Sequence, residues 1–246
     1  MVARVNCVDG FSVADFAATY EGQAPAIFRG ATSSWPATRR WNPAYLAERC
    51  GDVEVLLRAY RKGGRRFIEQ AGEKTRTSSL GDFLATLAPE MENEETYAWS
   101  LRESAAILAA VPVLHGDLKF EAVFQSLDLN FETFVWLGPA GYVTGFHTDE
   151  VDYNFLAHLY GEKRVTFIAP SDDDKMYAHT DSAIEGGHYS DVDAYAPDLE
   201  RHPKFGHAVQ YIADLVPGDL LYVPKGWWHR VESCSLSISV SGMASR

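Results

Sequence analysis

Two histidines and one aspartate in this sequence have the types and spacing to hold a metal ion. His147 and Asp149 stand two residues apart, and His229 follows much later in Gly226-Trp227-Trp228-His229. Side chains of a β-strand alternate between its faces, so His147 and Asp149 point to the same side if they lie in a strand. Two imidazoles and one carboxylate on one face of a metal are the ligands of non-heme Fe(II) oxygenases, which leave other positions open. The three residues therefore predict an iron centre.

Each of these residues also has an ordinary structural explanation. His147 could simply belong to a strand, Asp149 to an acidic turn, and His229 to a core in which its ring is hydrogen-bonded. A histidine and an aspartate two residues apart occur by chance in many chains. The segments that flank all three residues decide in favour of the metal-binding hypothesis.

These segments resemble those of one protein family, the JmjC-type, cupin-like 2-oxoglutarate oxygenases. Within that group the sequence is more similar to the asparaginyl and arginyl protein hydroxylases than to the histone demethylases. The resemblance covers roughly residues 130–241, and the first 130 residues match more loosely. The matching segments are Trp136–Gly141, Thr144, Asn154–Leu156, Gly161–Arg164, Ser190–Asp193, Pro197-Asp198, Pro203–Phe205, Gly218-Asp219 and Trp227–His229.

The resemblance implies an enzyme with Fe(II), 2-oxoglutarate as co-substrate and dioxygen. Lys163 stands where the family has a lysine that pairs with the C5 carboxylate of 2-oxoglutarate, and Thr144 where a hydroxyl assists it. The sequence supports Lys163 independently, since it alternates with Val165 in an otherwise apolar strand. A lysine that points inward there needs an anionic partner, and a dicarboxylate supplies one.

Four further positions carry expectations about this cavity. The resemblance implies that Asn154 lines the cavity near the metal and 2-oxoglutarate. Tyr97 stands where the family has a tyrosine donor, although a half-buried strand tyrosine is the alternative. Ser241 replaces a second asparagine of the asparaginyl hydroxylases, which leaves the hydrogen bonding on that side of 2-oxoglutarate open. His158, on the same strand face as Asn154, either joins a polar network or packs in the core, and we favour packing.

The activity that this resemblance implies is hydroxylation of an amino-acid side chain, with release of succinate and CO2. The substrate is expected to be a protein, a peptide or an amino-acid-like metabolite. Three alternatives stay open: N-methyl demethylation by the same chemistry, a non-catalytic cupin that binds a ligand, and a metal-dependent cupin enzyme that does not use 2-oxoglutarate.

Charge narrows the range of partners. The formal net charge of −12 opposes general binding to nucleic acids or anionic membranes. The basic run within residues 58–66 is expected to be a solvated turn or helix end. Acidic residues near the presumed mouth of the site, Asp172–Asp174 with Asp191 and Asp193, would favour a cationic substrate, and a solvated acidic loop is the alternative explanation for them. The oligomeric state stays open.

Cellular location follows from what the sequence lacks. No run reaches the ~18–20 apolar residues that span a bilayer, and the first residues do not form the apolar core of a secretory signal. The three cysteines Cys7, Cys50 and Cys234 are scattered and form no disulfide framework, and Cys234 is expected to be a small buried residue. A cytoplasmic, reducing location is the prediction.

The pattern along the chain predicts a mostly β fold, a double-stranded β-helix or jelly roll of the cupin type with N-terminal helices on its outside. We expect one domain over residues 1–246, in which residues 1–130 pack on a catalytic core at 131–241. Residues 170–217 have little strand character and are expected to be an insertion at the site mouth, either a lid that contacts the substrate or a merely structural excursion. Helices are predicted within 11–20, from Asn42 and from Ser79. Strands are predicted at Ala26–Phe28, Val53–Leu57, Thr133–Leu137, Tyr142–His147, Asn154–Tyr160, Lys163–Ala169, Leu220–Val223 and Ser235–Ser241.

Overall fold

Strands account for most of the regular structure. A computed structural model describes residues 1–61, 75–87, 97–101, 105–179, 188–193 and 195–246. The strands in these residues are β1 Val2–Arg4, β2 Asn6–Asp9, β3 Ala26–Arg29, β4 Glu54–Arg61, β5 Thr75–Ser79, β6 Tyr97–Leu101, β7 Glu132–Gly138, β8 Val143–His147, β9 Tyr153–Tyr160, β10 Lys163–Ile168, β11 Gln210–Leu215, β12 Leu220–Pro224, β13 Trp228–Ser233 and β14 Ser237–Ala244. The α-helices are α1 Val13–Thr19, α2 Pro36–Arg40, α3 Pro43–Cys50, α4 Leu80–Ala85, α5 Ala105–Ala110 and α6 Phe120–Phe124.

Two sheets face each other and contain the eight strands from β7 to β14. The first sheet has the order β1-β11-β10-β13-β8, and the second has the order β2-β3-β12-β9-β14-β7. Along the chain these eight strands pass repeatedly from one sheet to the other, which is the arrangement of a jelly roll. The predicted fold class is confirmed. A separate sheet of three strands, β5-β4-β6, lies in the N-terminal part.

Alternation of side chains gives each sheet an inner and an outer face. Between the sheets lies an apolar cluster that includes Leu156 of β9, Val165 and Phe167 of β10 and Leu221 of β12. On the outer face of the second sheet, residues such as Phe155 and Tyr222 pack with Phe16 of α1 in the largest core cluster. The N-terminal helices therefore cover the second sheet from outside.

The outer face of the first sheet is covered by the segment after β10. Residues Phe146 of β8, Ile168 of β10 and Trp228 of β13 form a cluster with residues of that segment, among them Met176, Val192, Phe205 and Ala208. Phe146 and Trp228 directly precede His147 and His229. Because the side-chain period of a strand is two, the outward packing of these large residues turns both histidines inward.

The predicted helices are confirmed, with their caps. Ser12, Asn42 and Ser79 each accept a hydrogen bond from the backbone N–H of the residue three positions later, at the starts of α1, α3 and α4. These bonds satisfy N–H groups that would otherwise lack a partner at a helix start. Local sequence is sufficient for such features because donor and acceptor lie within one turn.

Three expectations from the sequence are wrong. The stretch 170–217, which was expected to have little strand character, contains the whole of β11, which pairs with β10 in the first sheet. Strand β13, which carries His229, lies outside the predicted strand ranges. Cys234 is exposed, not buried, since it lies between β13 and β14, beyond both sheets. The segment 58–66 has its first part in β4, and its residues 62–66 lie outside the described ranges.

None of the helices in the described residues is long and apolar enough to span a membrane.

Candidate metal centre

His147 and His229 face each other across two neighbouring strands. His147 ends β8, His229 is the second residue of β13, and the two are directly opposed in the antiparallel register. Their ring centroids are 4.1 Å apart. On its other side His229 pairs with Phe167 of β10, which belongs to the core between the sheets. Since opposed residues share a face, both imidazoles point into the interior of the jelly roll.

Asp149 completes a group of three ligands just beyond the end of β8. Its Oδ1 lies 3.9 Å from Nε2 of His147, and its Oδ2 lies 3.5 Å from Nε2 of His229. One potential ligand atom from each residue lies within 4.8 Å of the others. The structure therefore brings together the three residues that the sequence singled out.

Backbone carbonyls determine which ring nitrogen each histidine can offer to a metal. Nδ1 of His147 is 2.8 Å from the carbonyl of Gly145, and Nδ1 of His229 is 3.1 Å from the carbonyl of Trp227. A carbonyl only accepts hydrogen bonds, so each Nδ1 carries a hydrogen. This leaves Nε2 of each ring directed to the shared space, where it can bind a metal. Hydrogen bonds of this kind are the usual means by which proteins orient metal-binding histidines.

The protonation states of this site suit a divalent cation. Burial, reinforced by the neighbouring His229, lowers the pKa of His147 to about 4. Burial alone would raise the pKa of Asp149, but the two imidazoles and the amide of Asn154 hold it below its ordinary value. At neutral pH the site thus offers a neutral His147 and an ionised carboxylate, the forms that bind metal ions.

Asn154 connects β9 to this group. Its Nδ2 donates a 2.8 Å hydrogen bond to Oδ2 of Asp149, which holds the carboxylate in place. The amide cannot be turned over, because Oδ1 would then face a carboxylate that only accepts. Asn154 is 5% exposed, and its buried Oδ1 has no hydrogen-bond partner among the described residues. Such an unpaired acceptor is expected in a site built around a further group, so the residues present fit a metal with its additional ligands.

Lys163 is a buried cation in the same interior. It is 5% exposed and opposes Ser233 of β13, on the same strand face as Val165 and Phe167. Its ammonium group makes no hydrogen bond or ion pair in the part of the chain that the structure describes, and burial lowers its pKa to about 8. Along β10 it lies four residues, or ~13 Å, from Phe167, the residue opposite His229. An extended lysine and a small diacid together can span that distance.

Thr144 also faces the interior, although it is three residues from His147. A bulge between the two residues adds one residue to β8, so that Thr144 opposes Val231 of β13 while His147 opposes His229. Val231 packs against the core between the sheets. The bulge therefore explains how residues of opposite parity share one face.

Ser241 lies on the inner face of β14, where its hydroxyl accepts a 2.8 Å hydrogen bond from the indole N–H of Trp136 in β7. It therefore keeps its own hydrogen for another acceptor. The backbone of Tyr97 begins β6, but its side chain lies outside the described residues, so its role as a donor stays a prediction.

His158 takes part in a polar network, which was the alternative to simple packing. Its Nε2 donates to the carbonyl of Gly161 at 2.9 Å, and its Nδ1 accepts from the hydroxyl of Ser239 at 2.9 Å. Burial and the nearby Lys163 lower its pKa to about 4, so the ring is neutral. The preference for simple packing was wrong. The alternation of serine with isoleucine and valine over 237–241 is the signal that places serines on the inner face.

The five aspartates Asp172–Asp174, Asp191 and Asp193 do not form a free anionic surface. Asp172 accepts from Lys175 and from the backbone of Val209, Asp173 from the indole of Trp228, and Asp174 from Lys204. Asp191 pairs with His179 at 2.9 Å, and Asp193 accepts from the backbone of Tyr195. These carboxylates hold the segment together. The expectation that they attract a cationic substrate is therefore not supported by their surroundings.

A family model described as the cupin-like domain matches residues 13–242. The chain belongs to this family of JmjC-type, cupin-like domains. The family typically uses Fe(II) and 2-oxoglutarate, and the group formed by His147, Asp149 and His229 is consistent with that use.

Proteins similar to this JmjC-type domain are named for different functions. Lysine-specific demethylase 8 of Xenopus tropicalis is 27% identical over 228 residues, which cover 89% of this chain and 47% of that protein. Human tRNA wybutosine-synthesizing protein 5 is 27% identical over 234 residues, which cover 90% of this chain and 71% of that protein. The chain spans about half the length of several such relatives.

A solved structure shows the same fold for this JmjC-type domain. The X-ray structure of E. coli ycfD matches with a TM-score of 0.56 and 14% identity, over 96% of this chain and 53% of that one. At this identity the likeness concerns the fold alone.

Proposed function

We propose that this protein is an Fe(II)- and 2-oxoglutarate-dependent dioxygenase. It hydroxylates an amino-acid side chain in a protein, a peptide or an amino-acid-like metabolite, and it releases succinate and CO2. The observation that carries the proposal is Lys163, a buried cation without an anionic partner among the described residues, in the same interior as the three metal ligands. A protein that bound only a metal would have no need of such a charge, whereas a diacid co-substrate supplies its partner.

The residues of the chain have separable roles in this proposal. His147, Asp149 and His229 would hold the iron, while Asn154 keeps the carboxylate of Asp149 oriented. When bound, the iron supplies the activation of dioxygen for oxidation of a C–H bond, which protein side chains cannot perform.

The residues expected to contact the co-substrate lie on the interior face of the jelly roll. Lys163 pairs with the distal carboxylate of 2-oxoglutarate, and Thr144 and Ser241 donate hydroxyl hydrogen bonds nearby. The apolar cluster between the sheets excludes water from around them. Charge pairing is strongest in such a dry surrounding, so Lys163 is expected to determine the affinity for 2-oxoglutarate.

Turnover of 2-oxoglutarate tests the proposal without knowledge of the substrate. The protein is incubated with Fe(II), ascorbate and labelled 2-oxoglutarate, and labelled succinate is measured by mass spectrometry. Slow succinate formation is expected for the wild type, and none for Asp149→Ala. Metal binding at the three ligands without any binding of 2-oxoglutarate would instead support a ligand-binding cupin or a cupin enzyme that does not use 2-oxoglutarate.

N-methyl demethylation is a second candidate, and the names of relatives favour it. Two relatives similar over most of this chain are named lysine-specific demethylase 8, from Xenopus tropicalis and Danio rerio. The two outcomes differ in product. Hydroxylation leaves a stable product heavier by one oxygen, whereas demethylation releases formaldehyde and leaves a lighter product. Methylated and unmethylated lysine and arginine peptides, assayed for both products, separate them.

We favour a protein, peptide or metabolite substrate over RNA, and a cytoplasmic location. The net charge of −12 opposes binding to a polyanion. Since one group of relatives is named for tRNA wybutosine synthesis, transfer RNA belongs in the substrate screen as a separate arm. Turnover stimulated by tRNA alone would contradict this preference.

A further inference from the structure

A short segment of the chain far from β8 in sequence lies directly along it. The N–H of Thr148 donates to the carbonyl of His188 at 2.9 Å, and the N–H of Ser190 donates to the carbonyl of Phe146 at 2.9 Å. His147 and Tyr189 form an antiparallel bridge between these two bonds. Residues 188–190, called the strap below, therefore extend the first sheet at the edge that carries two metal ligands.

Thr148 connects the strap to both ligands. It stands between His147 and Asp149, is 7% exposed, and also accepts a 3.2 Å hydrogen bond on its hydroxyl from the N–H of His188. Both the backbone and the side chain of Thr148 thus bind His188 of the strap. Since Thr148 is adjacent to both ligands in the chain, any shift of its backbone displaces both of them.

The strap also touches a ligand directly and is itself fixed at its far end. The ring of Tyr189 stacks on that of His147, with centroids 5.6 Å apart and an angle of 19° between the planes. The hydroxyl of Ser190 bonds the carbonyl of Met176 (and accepts from the N–H of Val192), and Met176 belongs to the cluster on the outer face of the first sheet. The strap therefore links the outer layer of the molecule to the metal centre.

We propose that the strap positions His147 and Asp149 for metal binding, and that Thr148 is the positioning residue through which the two are coupled. Asp149 follows the end of β8, so no regular strand pairing holds its backbone. The strap supplies that support. Because coupling between two sites is reciprocal, a bound metal must stabilise the strap as much as the strap strengthens metal binding.

Two substitutions at Thr148 separate the hydroxyl from the shape of the side chain. Thr148→Val keeps the branched shape but cannot accept the hydrogen bond from His188, whereas Thr148→Ser keeps the hydroxyl. Mn(II) binding to the metal-free proteins is measured by the electron paramagnetic resonance signal of free Mn(II). We expect about fivefold weaker binding for Thr148→Val, the size of one hydrogen bond. Thr148→Ser should stay within about twofold of the wild type.

Hydrogen exchange of the wild type gives a second readout that requires no variant. Mn(II) should slow exchange at the amides of Thr148, His188 and Ser190 by a similar factor, and by more than at the amides shared by β4 and β5 in the separate N-terminal sheet. A purely structural role of Thr148 would change global stability but leave the metal dependence of these three amides unaltered. Thermal unfolding of the metal-free variants therefore accompanies both measurements.

The proposal rests on the metal site of the proposed function, and the outcomes distinguish the two. Wild-type Mn(II) affinity in Thr148→Val, or exchange at the strap that Mn(II) does not change, overturns the role of the strap. Mn(II) binding that Asp149→Ala leaves intact overturns the metal centre itself, and the strap then has no ligand to position.

Discussion

Replacing Lys163 by methionine should stabilise the protein that lacks metal and co-substrate, and should remove its ability to bind 2-oxoglutarate. The ammonium group of Lys163 is buried with no anionic partner among the described residues. A charge in that position is unfavourable until a carboxylate arrives. Methionine has nearly the same length and fills the same apolar space without the charge.

The size of the effect follows from the pKa. Burial lowers the pKa of Lys163 from 10.5 to about 8. At ~1.4 kcal/mol per pH unit, this difference corresponds to a penalty of about 3 kcal/mol for keeping the charged form in the folded protein. Water that enters near the ammonium group would reduce this penalty. We therefore expect Lys163→Met to raise the free energy of unfolding by about 1–3 kcal/mol at pH 7.

The pH dependence has a defined sign. Below about pH 8 Lys163 is charged in both the folded and the unfolded protein, so the whole penalty is present. Between about pH 8 and 10.5 the folded protein loses this proton first, the unfolded state binds more protons, and stability rises with pH. The stability difference between Lys163→Met and the wild type should therefore narrow over this range.

Urea unfolding at several pH values measures the effect, and isothermal titration measures 2-oxoglutarate binding in the presence of Mn(II). Lys204→Met is the matched control, since its exposed ammonium pairs with Asp174 at the surface and contributes little. In Lys163→Met the bound carboxylate would be left unpaired, so affinity should fall by ~100-fold or more. Unchanged affinity, or a stability at pH 7 that is no higher than that of the wild type, would refute the reasoning.

Three further predictions concern residues of the metal centre and of the expected co-substrate site. Asp149→Ala should weaken Mn(II) binding by ~100-fold and stop succinate formation, and near-normal Mn(II) affinity would show that the metal binds elsewhere. Asn154→Leu removes the hydrogen bond to Asp149 and should weaken Mn(II) binding by ~10-fold, as for other residues that orient a ligand. An affinity equal to that of the wild type would mean that this bond does not position the carboxylate. Ser241→Ala should raise the 2-oxoglutarate concentration needed for half-maximal turnover by a few-fold while leaving Mn(II) affinity unchanged, and a change in Mn(II) affinity would place Ser241 in the metal site instead.

The predictions from the sequence that held are those based on local pattern. Strands β9 and β10 are recognisable because both of their faces are buried, one in the interior and the other against a second apolar layer, which gives nearly continuous apolar runs. Helix caps such as Ser79 depend on residues within one turn. The pairing of His147 with His229 is non-local, but the flanks of both residues resemble the family closely enough to bring them together.

The predictions that failed depend on partners that the sequence does not name. Nothing in the sequence indicates that Asp173 accepts a hydrogen bond from the indole of Trp228, or that Asp174 accepts one from Lys204. Acidic residues in a loop look the same whether they face solvent or cap a buried donor. For the same reason, no pattern in the sequence connects Thr148 with His188. Contacts between distant segments of a polar loop depend on the three-dimensional fold, and the local sequence does not indicate them.

A crystal structure with Mn(II) and 2-oxoglutarate, grown without oxygen, tests the central claim most directly. The account predicts one ion bound to Nε2 of His147, Nε2 of His229 and an oxygen of Asp149, at about 2.0–2.3 Å as for other small divalent ions. It also predicts 2-oxoglutarate in the interior, with its distal carboxylate on Nζ of Lys163. An ion bound away from these three residues, or a co-substrate whose distal carboxylate avoids Lys163, would contradict it.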